Sequence, residues 1–240
     1  MPTASEPAVL ADDVTVRFGT QEVLSGLTLR AERAQVTALL GPNGAGKTTF
    51  LRCCTGLISP DGGRVSVLGD RPGARLVSAR VGWMPQSTGA WSGITALELL
   101  HYLASLYAHP LAVPALVERL GIGPYAKTPY RRLSGGQQQT VNLAGAVIGR
   151  PEVVFLDEPT AGLDPHARRS SWELVRELRA AGVGALLTTH AMDEAAALAD
   201  EIVIVDRGRV AVAGTVAELT AGGGTLEDVF LRHTHAEAGR

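Results

Sequence analysis

The feature that most constrains the fold is a glycine-rich octapeptide near the N-terminus. Residues Gly41-Pro-Asn-Gly-Ala-Gly-Lys47-Thr48 follow an apolar run at 35–40 and precede a helical pattern at 47–56. Closely spaced glycines let the backbone curl so that successive N–H groups converge, and the helix that follows adds a favourable N-terminal dipole. A strand, such a loop and a helix, in this order, predict a binding site for phosphate groups.

Two side chains at the end of the octapeptide suit a nucleoside triphosphate. Lys47 would neutralise the β- and γ-phosphates, and the Thr48 hydroxyl would ligate Mg²⁺. The competing interpretation is a plain glycine-rich turn, but the chain has only two lysines, so a chance match to the whole pattern is rare. The residues expected to contact the nucleotide in this loop are Gly41, Pro42, Asn43, Gly44, Ala45, Gly46, Lys47, Thr48 and Thr49.

A second apolar run ends in two adjacent carboxylates. Val153-Val-Phe-Leu predicts a buried strand, and Asp157 and Glu158 follow it directly. In a parallel sheet, the end of this strand would face the phosphate loop. Asp157 is then expected to hold Mg²⁺ directly or through water, and Glu158 to orient and deprotonate the attacking water. The less favoured alternative, taking the pair alone, is two solvated carboxylates at a strand terminus.

The order of predicted elements indicates an α/β fold with an inserted helical lobe. Alternating apolar residues at 8–18 and 22–30 predict an antiparallel strand pair, and the first half reads as one mixed β-sheet packed over a helix. Strands alternate with helices after residue 151, which predicts a parallel, right-handed βαβ core. We expect a single domain over 1–240, with a core and antiparallel β subdomain in 1–86 and 151–240 and a helical lobe in 87–150.

Composition narrows the classes of partner and location. With 22 basic and 24 acidic residues, the chain lacks the charge of a dedicated nucleic-acid binder, so no nucleic-acid partner is expected. Cys53 and Cys54 are adjacent in a predicted helix, where a disulfide between them would be strained, and a reducing cytosol is the simpler interpretation. No window approaches the ~20 apolar residues of a membrane span, and the N-terminus has no signal-peptide pattern.

A second glycine-rich turn, Leu133-Ser-Gly-Gly-Gln137, stands directly before a helical pattern. Ser134 is suited to cap that helix, and the backbone N–H groups would be free for an anion. Alone, the segment could be only a capped helix start. With the phosphate loop upstream and the carboxylate strand downstream, it resembles the signature sequence of ATP-binding cassette (ABC) ATPases. The resemblance covers residues from about 9 to 231, and implies a P-loop NTPase core of the ABC ATPase type.

The resemblance implies roles for four further residues. Phe18 stands where the family stacks an aromatic ring on adenine, although the pattern alone favours a core aromatic. Gln86, after Trp83-Met-Pro, resembles the glutamine that contacts Mg²⁺ and relays to the helical lobe, or it is an exposed turn residue. Asp164, in Gly-Leu-Asp-Pro, resembles a polar contact across a dimer interface, or it caps a helix. His190 resembles the histidine that contacts the γ-phosphate, or it is a satisfied buried histidine.

The resemblance also implies an assembly. Two such ATPase subunits, expected to be a homodimer, would bind ATP and Mg²⁺ between the phosphate loop of one chain and the signature of the other. An integral membrane permease would be a separate chain, and the ATPase would lie peripherally on the cytoplasmic face of the cell membrane. The signature residues expected to contact the nucleotide are Ser134, Gly135, Gly136 and Gln137.

The direction of transport is inferred from one short segment near the C-terminus. The run Thr225-Leu-Glu-Asp-Val-Phe-Leu231 resembles the tail of exporter-type ATPases of the multidrug or antibiotic-resistance group. The alternatives are an importer ATPase and a non-transport ATPase such as an iron–sulfur assembly scaffold. Thr140 and Gly145 stand where the family commonly has arginine, which puts signature-helix stability and dimer affinity in question. The transported molecule is not encoded in these motifs.

Overall fold

The structure is a computed structural model that describes residues 6–86 and 93–234. Its strands are β1 (Val9–Phe18), β2 (Gln21–Ala31), β3 (Val36–Leu40), β4 (Gly62–Val67), β5 (Val81–Met84), β6 (Val153–Asp157), β7 (Gly184–Thr189), β8 (Glu201–Asp206) and β9 (Arg209–Gly214). Its α-helices are α1 (Lys47–Cys54), α2 (Arg75–Ser78), α3 (Ala96–Ser105), α4 (Val113–Arg119), α5 (Gly135–Val147), α6 (Pro165–Ala180), α7 (Met192–Leu198), α8 (Val216–Thr220) and α9 (Leu226–His233). Short 3₁₀ turns lie at Gly123–Tyr125 and Tyr130–Arg132.

The strands form two sheets. One is antiparallel with the order β2-β1-β4, and the other has the order β5-β6-β7-β3-β8-β9. In the second sheet, only β9 runs antiparallel to its neighbour. The larger sheet is thus mixed and the β2-β1-β4 sheet is the expected antiparallel subdomain, which confirms the predicted fold class, although the strands of the first half do not share a single sheet. All five residues of β3 are buried, which suits the centre of a parallel sheet, whereas β1 mixes buried and exposed residues and keeps one face open.

Helix α1 lies between the two sheets. It contacts β2 and β4 of the antiparallel sheet and β6 of the larger one. Along β6, Val153 and Phe155 pack in this core, while Val154 and Leu156 point to the opposite face and pack with the helices there. The period of two along the strand thus divides the hydrophobic core into two layers.

The cysteines of α1 belong to the layer between the sheets. Cys53 and Cys54 are both buried free thiols. Burial raises the pKa of Cys53 to about 11, so this thiol stays protonated near neutral pH. Both residues therefore act as small apolar side chains in the packing around α1.

The register of the parallel strands brings several loops to one edge. Met84 at the end of β5 pairs with Leu156, and Asp157 at the end of β6 pairs with Thr188. Leu40 at the end of β3 pairs with Thr189. The loops that follow β3, β5, β6 and β7 therefore leave the sheet side by side at its carboxyl edge, which is where ligands bind in open α/β sheets.

In the described ranges 6–86 and 93–234, we find no helix with both the length and the apolar composition needed to cross a membrane.

Candidate active site

The loop between β3 and α1 depends on its glycines. Gly44 and Gly46 have φ angles of 80° and 101°, in the left-handed region that side chains disfavour. A Cβ atom on Gly41 would lie 2.3 Å from the backbone oxygen of Val205, which leaves no room for a side chain. These positions fix the curled backbone that the sequence predicted.

Lys47 is held against the loop that precedes it. Its Nζ donates hydrogen bonds to the backbone oxygens of Gly41 at 2.6 Å and Pro42 at 3.0 Å. The side chain is buried, and burial lowers the pKa of Lys47, while the carboxylates of Glu158 and Asp157 act in the opposite direction. The ammonium group thus lies between the loop and the two predicted carboxylates.

The hydroxyl of Thr48 meets the carboxylate of Asp157 across the end of the sheet. Thr48 Oγ1 donates to Asp157 Oδ1 at 3.1 Å, and Thr188 Oγ1 donates to the same oxygen at 2.6 Å. Asp157 is 1% exposed, and its Oδ2 has no hydrogen-bond partner within the described part of the chain.

These oxygens suit Mg²⁺. An orphaned carboxylate oxygen beside a hydroxyl offers the hard ligands that this ion prefers. Among residues 6–86 and 93–234, no group of three or more His, Cys, Asp or Glu side chains could hold a metal ion. The Thr48 hydroxyl and the unpaired Asp157 oxygen fit an ion that takes most of its ligands from phosphate and water, as Mg²⁺ does beside nucleotides.

Glu158 begins a strained turn directly after β6. Its φ is 52°, uncommon for a residue with a side chain, and its N–H donates to Thr188 O at 3.1 Å and Thr188 Oγ1 at 3.0 Å. Sequence reasoning missed Thr188, although a buried threonine at a strand end beside His190 was a usable signal. The Thr188 hydroxyl bonds both to Asp157 and to the backbone of Glu158, and so orients the two carboxylates relative to each other.

Gln86 and His190 both contact the Glu158 carboxylate. Gln86 Nε2 donates to Glu158 Oε2 at 3.3 Å, and His190 Nδ1 lies 3.4 Å from Glu158 Oε1. The Glu158 side chain is 15% exposed and that of His190 is 64% exposed, so His190 is not a buried histidine. The structure thus brings together predicted side chains from four loops. We call this set the phosphate half of the site: Gly41–Thr48, Gln86, Asp157, Glu158 and His190.

Phe18 is half exposed, at the end of β1. The interpretation of Phe18 as a core aromatic is therefore wrong, and its ring is available for a ligand.

The signature turn is a capped helix start. Ser134 Oγ accepts from Gln137 N at 3.2 Å, and Ser134 N donates to Gln137 Oε1 at 3.0 Å. Two of the N–H groups expected to be free for an anion are thus used within the chain, because the turn closes as a capping box. The N–H groups of Gly135 and Gly136, in the first turn of α5, have no intrahelical acceptor.

Asp164 caps α6. Its Oδ1 accepts from His166 N at 2.9 Å and Ala167 N at 3.1 Å, and these bonds, the one from Ala167 most, lower the pKa of Asp164. A Cβ atom on Gly136 would lie 2.9 Å from Gly162 O, so the signature turn and this loop touch within one chain.

One cleft is lined by Ser134, Gly136 and Gln137 together with Gly162 and Asp164. Within the described residues, none of its lining residues belongs to the phosphate loop. We call Ser134–Gln137 and Asp164 the signature half of the site. The structure therefore brings the members of each half together, and the signature cleft, as far as the described residues go, does not include the phosphate half.

The parallel sheet with a glycine-rich loop after β3 and carboxylates after β6 defines a phosphate-loop nucleotide-binding fold. The ABC transporter family matches residues 24–161 of the chain. The chain is 41% identical to the daunorubicin resistance ATP-binding protein DrrA3 of Streptomyces coeruleorubidus, covering 95% of this chain and 75% of that protein. It is 40% identical to the Nod factor export ATP-binding protein I of Ralstonia nicotianae, covering 90% of this chain and 69% of that protein.

Solved structures agree with this family match. An ATP-binding subunit of an ABC transporter superposes with a TM-score of 0.85 at 28% identity, covering 94% of this chain and 98% of that one. A nucleotide-free ATP-binding cassette from an ABC transporter superposes with a TM-score of 0.78 at 21% identity, covering 94% of this chain and 99% of that one. At this identity, the likeness supports the fold and not the function. The chain belongs to the ABC transporter family. It is an ATP-binding subunit with the ATPase chemistry of that family, and its relatives are of the exporter type, which confirms the resemblance drawn from its sequence.

Proposed function

We propose that this chain hydrolyses Mg²⁺-bound ATP in the phosphate half of the site to drive export of a substrate through a separate membrane permease. The observation that carries the proposal is the convergence of Lys47, the Thr48–Asp157 pair and Glu158 at one edge of the sheet. A cation, a hydroxyl–carboxylate pair and a general base at one place are what phosphoryl transfer to water needs.

Each side chain in the phosphate half has a distinct role in the proposal. The loop backbone and Lys47 bind the phosphates, and Thr48, Asp157 and Gln86 would hold Mg²⁺, which neutralises charge on the transferred group. Glu158 orients a water molecule and takes its proton. His190 is exposed beside Glu158 and would contact the γ-phosphate. The half-exposed ring of Phe18 would stack on adenine.

We infer that the complete site needs two chains. The signature cleft shares no lining residue with the phosphate loop, so a single described chain offers ATP only half of the contacts. In a head-to-tail homodimer, the signature half of one subunit would cover ATP on the phosphate half of the other, and each site would be repeated by two-fold symmetry. The γ-phosphate then supplies charge-assisted contacts to both chains that ADP lacks.

The proposed permease has a candidate docking groove. An apolar groove of about 370 Å³ lies between the C-terminal end of α1, the β5 strand and helices α3 and α5. Pro85, next to Gln86, lines it, and Leu57 on its wall is 65% exposed. Gly145 also lines it, so the position that commonly carries arginine leaves this groove uncharged. We propose that an apolar segment of the permease occupies it and holds the chain on the cytoplasmic face of the membrane.

Export is the direction that the relatives support. Their names describe drug resistance and export, and the tail resemblance at 225–231 corresponds to the start of α9, whose Leu226 and Val229 are buried. We further propose that a core in residues 1–86 and 151–240 moves relative to a helical lobe in 87–150. Gln139 on α5 donates to Gln86 O at 3.3 Å and would link the lobe to the site.

The test of the proposal combines two measurements. The full chain is purified from detergent-solubilised native membranes, with a Glu158→Gln variant as control, and bound proteins are identified by mass spectrometry. The proposal expects a multi-span membrane protein with both forms and ATP hydrolysis with the wild type only. Recovery of soluble partners alone would contradict the transport role.

A further inference from the structure

Glu194 is a buried carboxylate with no role in the site described so far. It lies in α7, four residues after His190, and is 1% exposed. Its Oε1 accepts hydrogen bonds from Thr160 Oγ1 at 2.7 Å and from Trp172 Nε1 at 3.2 Å. No ion pair to Glu194 occurs between the residues that the structure describes, and both donors are neutral. A carboxylate buried in this way is costly, so its two bonds are the reason it is tolerated.

The two residues that donate hydrogen bonds to Glu194 belong to different elements of the fold. Thr160 stands two residues after Glu158, in the turn between β6 and α6, where Ala161 N donates to Glu158 O at 3.2 Å. Trp172 lies within α6. The carboxylate therefore joins three elements: the turn that bears Glu158, the body of α6, and the helix that follows His190.

The side chain of His190 has little other support. It is 64% exposed and meets Glu158 only at 3.4 Å. Its backbone neighbours are anchored by the bond from Ala191 N to Thr189 Oγ1 at 3.0 Å, after which α7 begins. The separation of the Glu158 carboxylate and the His190 imidazole therefore depends on how the turn at 158–164 is fixed to α7.

We propose that Glu194 is a positioning residue for ATP hydrolysis. Through Thr160 it fixes the turn after Glu158 to the helix after His190, and so sets the distance between the base and the histidine. Small displacements of reacting groups are enough to reduce turnover strongly. This inference rests on the proposed roles of Glu158 and His190.

Two matched variants separate positioning from stability. Thr160→Val removes the hydroxyl donor at nearly constant shape, and Trp172→Phe removes the indole donor to the same Oε1 atom. We expect Thr160→Val to lower kcat about tenfold with KM for ATP within about twofold, because a contact that matters only in the transition state is affected. We expect Trp172→Phe to keep kcat within about twofold. It should nevertheless lower Tm at least as much as Thr160→Val does.

Two further variants complete the test. Thr160→Ser keeps the hydroxyl and should retain turnover near wild type. In a His190→Ala background, Thr160→Val should have little additional effect, since the two act on one geometry.

Equal kcat losses in Thr160→Val and Trp172→Phe, or a tenfold loss in Thr160→Ser, would overturn the inference and make Glu194 a stabilising residue only. Should Thr160→Val fail to fold, Thr160→Ala takes its place, with the same expected loss of kcat and the same comparison with Trp172→Phe. Wild-type turnover in Glu158→Gln would instead refute the proposed function itself.

Discussion

The phosphate half and the signature half of the site differ in what their polar side chains contact. In the phosphate half, side chains from separate loops bond to one another, as Thr48 does to Asp157 and Gln86 to Glu158. In the signature half, Ser134 and Asp164 cap the helices that follow them. The groups proposed for hydrolysis thus lie at one sheet edge, whereas the signature half is a pair of helix starts that, in the proposed dimer, would face a second chain.

The largest effect should come from the phosphate half. Lys47→Ala removes the buried ammonium beside the phosphate loop, and we expect ATP turnover to fall about 10³-fold together with a loss of nucleotide binding. Lys127→Ala changes the only other lysine and serves as the matched control. Phosphate release and binding of a fluorescent nucleotide would measure both. Normal binding and turnover in Lys47→Ala would show that the loop does not hold the nucleotide.

Removing only the base should separate binding from chemistry. We expect Glu158→Gln to bind Mg²⁺-bound ATP while hydrolysing it at least about 10²-fold more slowly, because the amide cannot take a proton from water. Glu173→Gln, on α6, is the control. In saturating ATP, Glu158→Gln should also sediment as a dimer. A persistent monomer would mean that the two halves never meet.

A mixture of two inactive variants tests most directly whether the two halves of one site come from different chains. Lys47→Ala disables the phosphate half, and Ser134→Arg blocks the signature half. Mixed in equal amounts, the two should recover about a quarter of wild-type turnover, since half of the random dimers hold one complete site of two. Each variant alone, checked for folding by circular dichroism, should be inactive. If mixing restores nothing although heterodimers form, both halves act within one chain.

The smallest effect concerns the stability of the signature half. Hydrogen bonds lower the pKa of Asp164 in the folded chain, so its charge stabilises the fold above the ordinary carboxyl pKa, and this contribution is lost as pH falls through the lowered value. Asn is also a good cap, so Asp164→Asn should change Tm little near pH 7. As pH falls from the ordinary carboxyl pKa through the lowered value, the Tm of the wild type should therefore fall relative to that of Asp164→Asn, which has no titratable group at this position. A difference that is constant from pH 7 to pH 3 would contradict the assignment.

The two departures from the family sequence do not prevent the signature helix from forming. Thr140 is buried and donates to Gly136 O at 3.0 Å within α5. At Gly145, a Cβ would lie 2.8 Å from Leu103 Cδ1, so α3 packs closely where an arginine commonly stands. Stability of the signature helix is therefore supplied by packing and capping. The effect of both residues on dimer affinity stays a prediction.

Most secondary structure was predictable from sequence, because long elements carry a clear period. The apolar run at 35–40 begins one residue before β3, and the helical pattern at 47–56 extends two residues past α1. The α2 helix was missed, since its four residues are too few to show a period of 3.6. Beyond the antiparallel pair at 8–18 and 22–30, the sequence did not predict which strands of the first half share a sheet, because hydrophobic pattern fixes which face of a strand is buried and not which strand lies beside it.

The sequence by itself determined the loop, the carboxylates and the signature, since each is a short segment and their order along the chain completes the pattern that suggests a function. Tertiary structure alone decided that Thr188 bonds to both Asp157 and the Glu158 backbone, that Phe18 is exposed, and that Glu194 joins α7 to the turn after β6. The hydrogen bonds join residues 30 or more positions apart, and the exposure of Phe18 depends on how the sheets pack. Register and packing set such distances, and neither is encoded in any single segment.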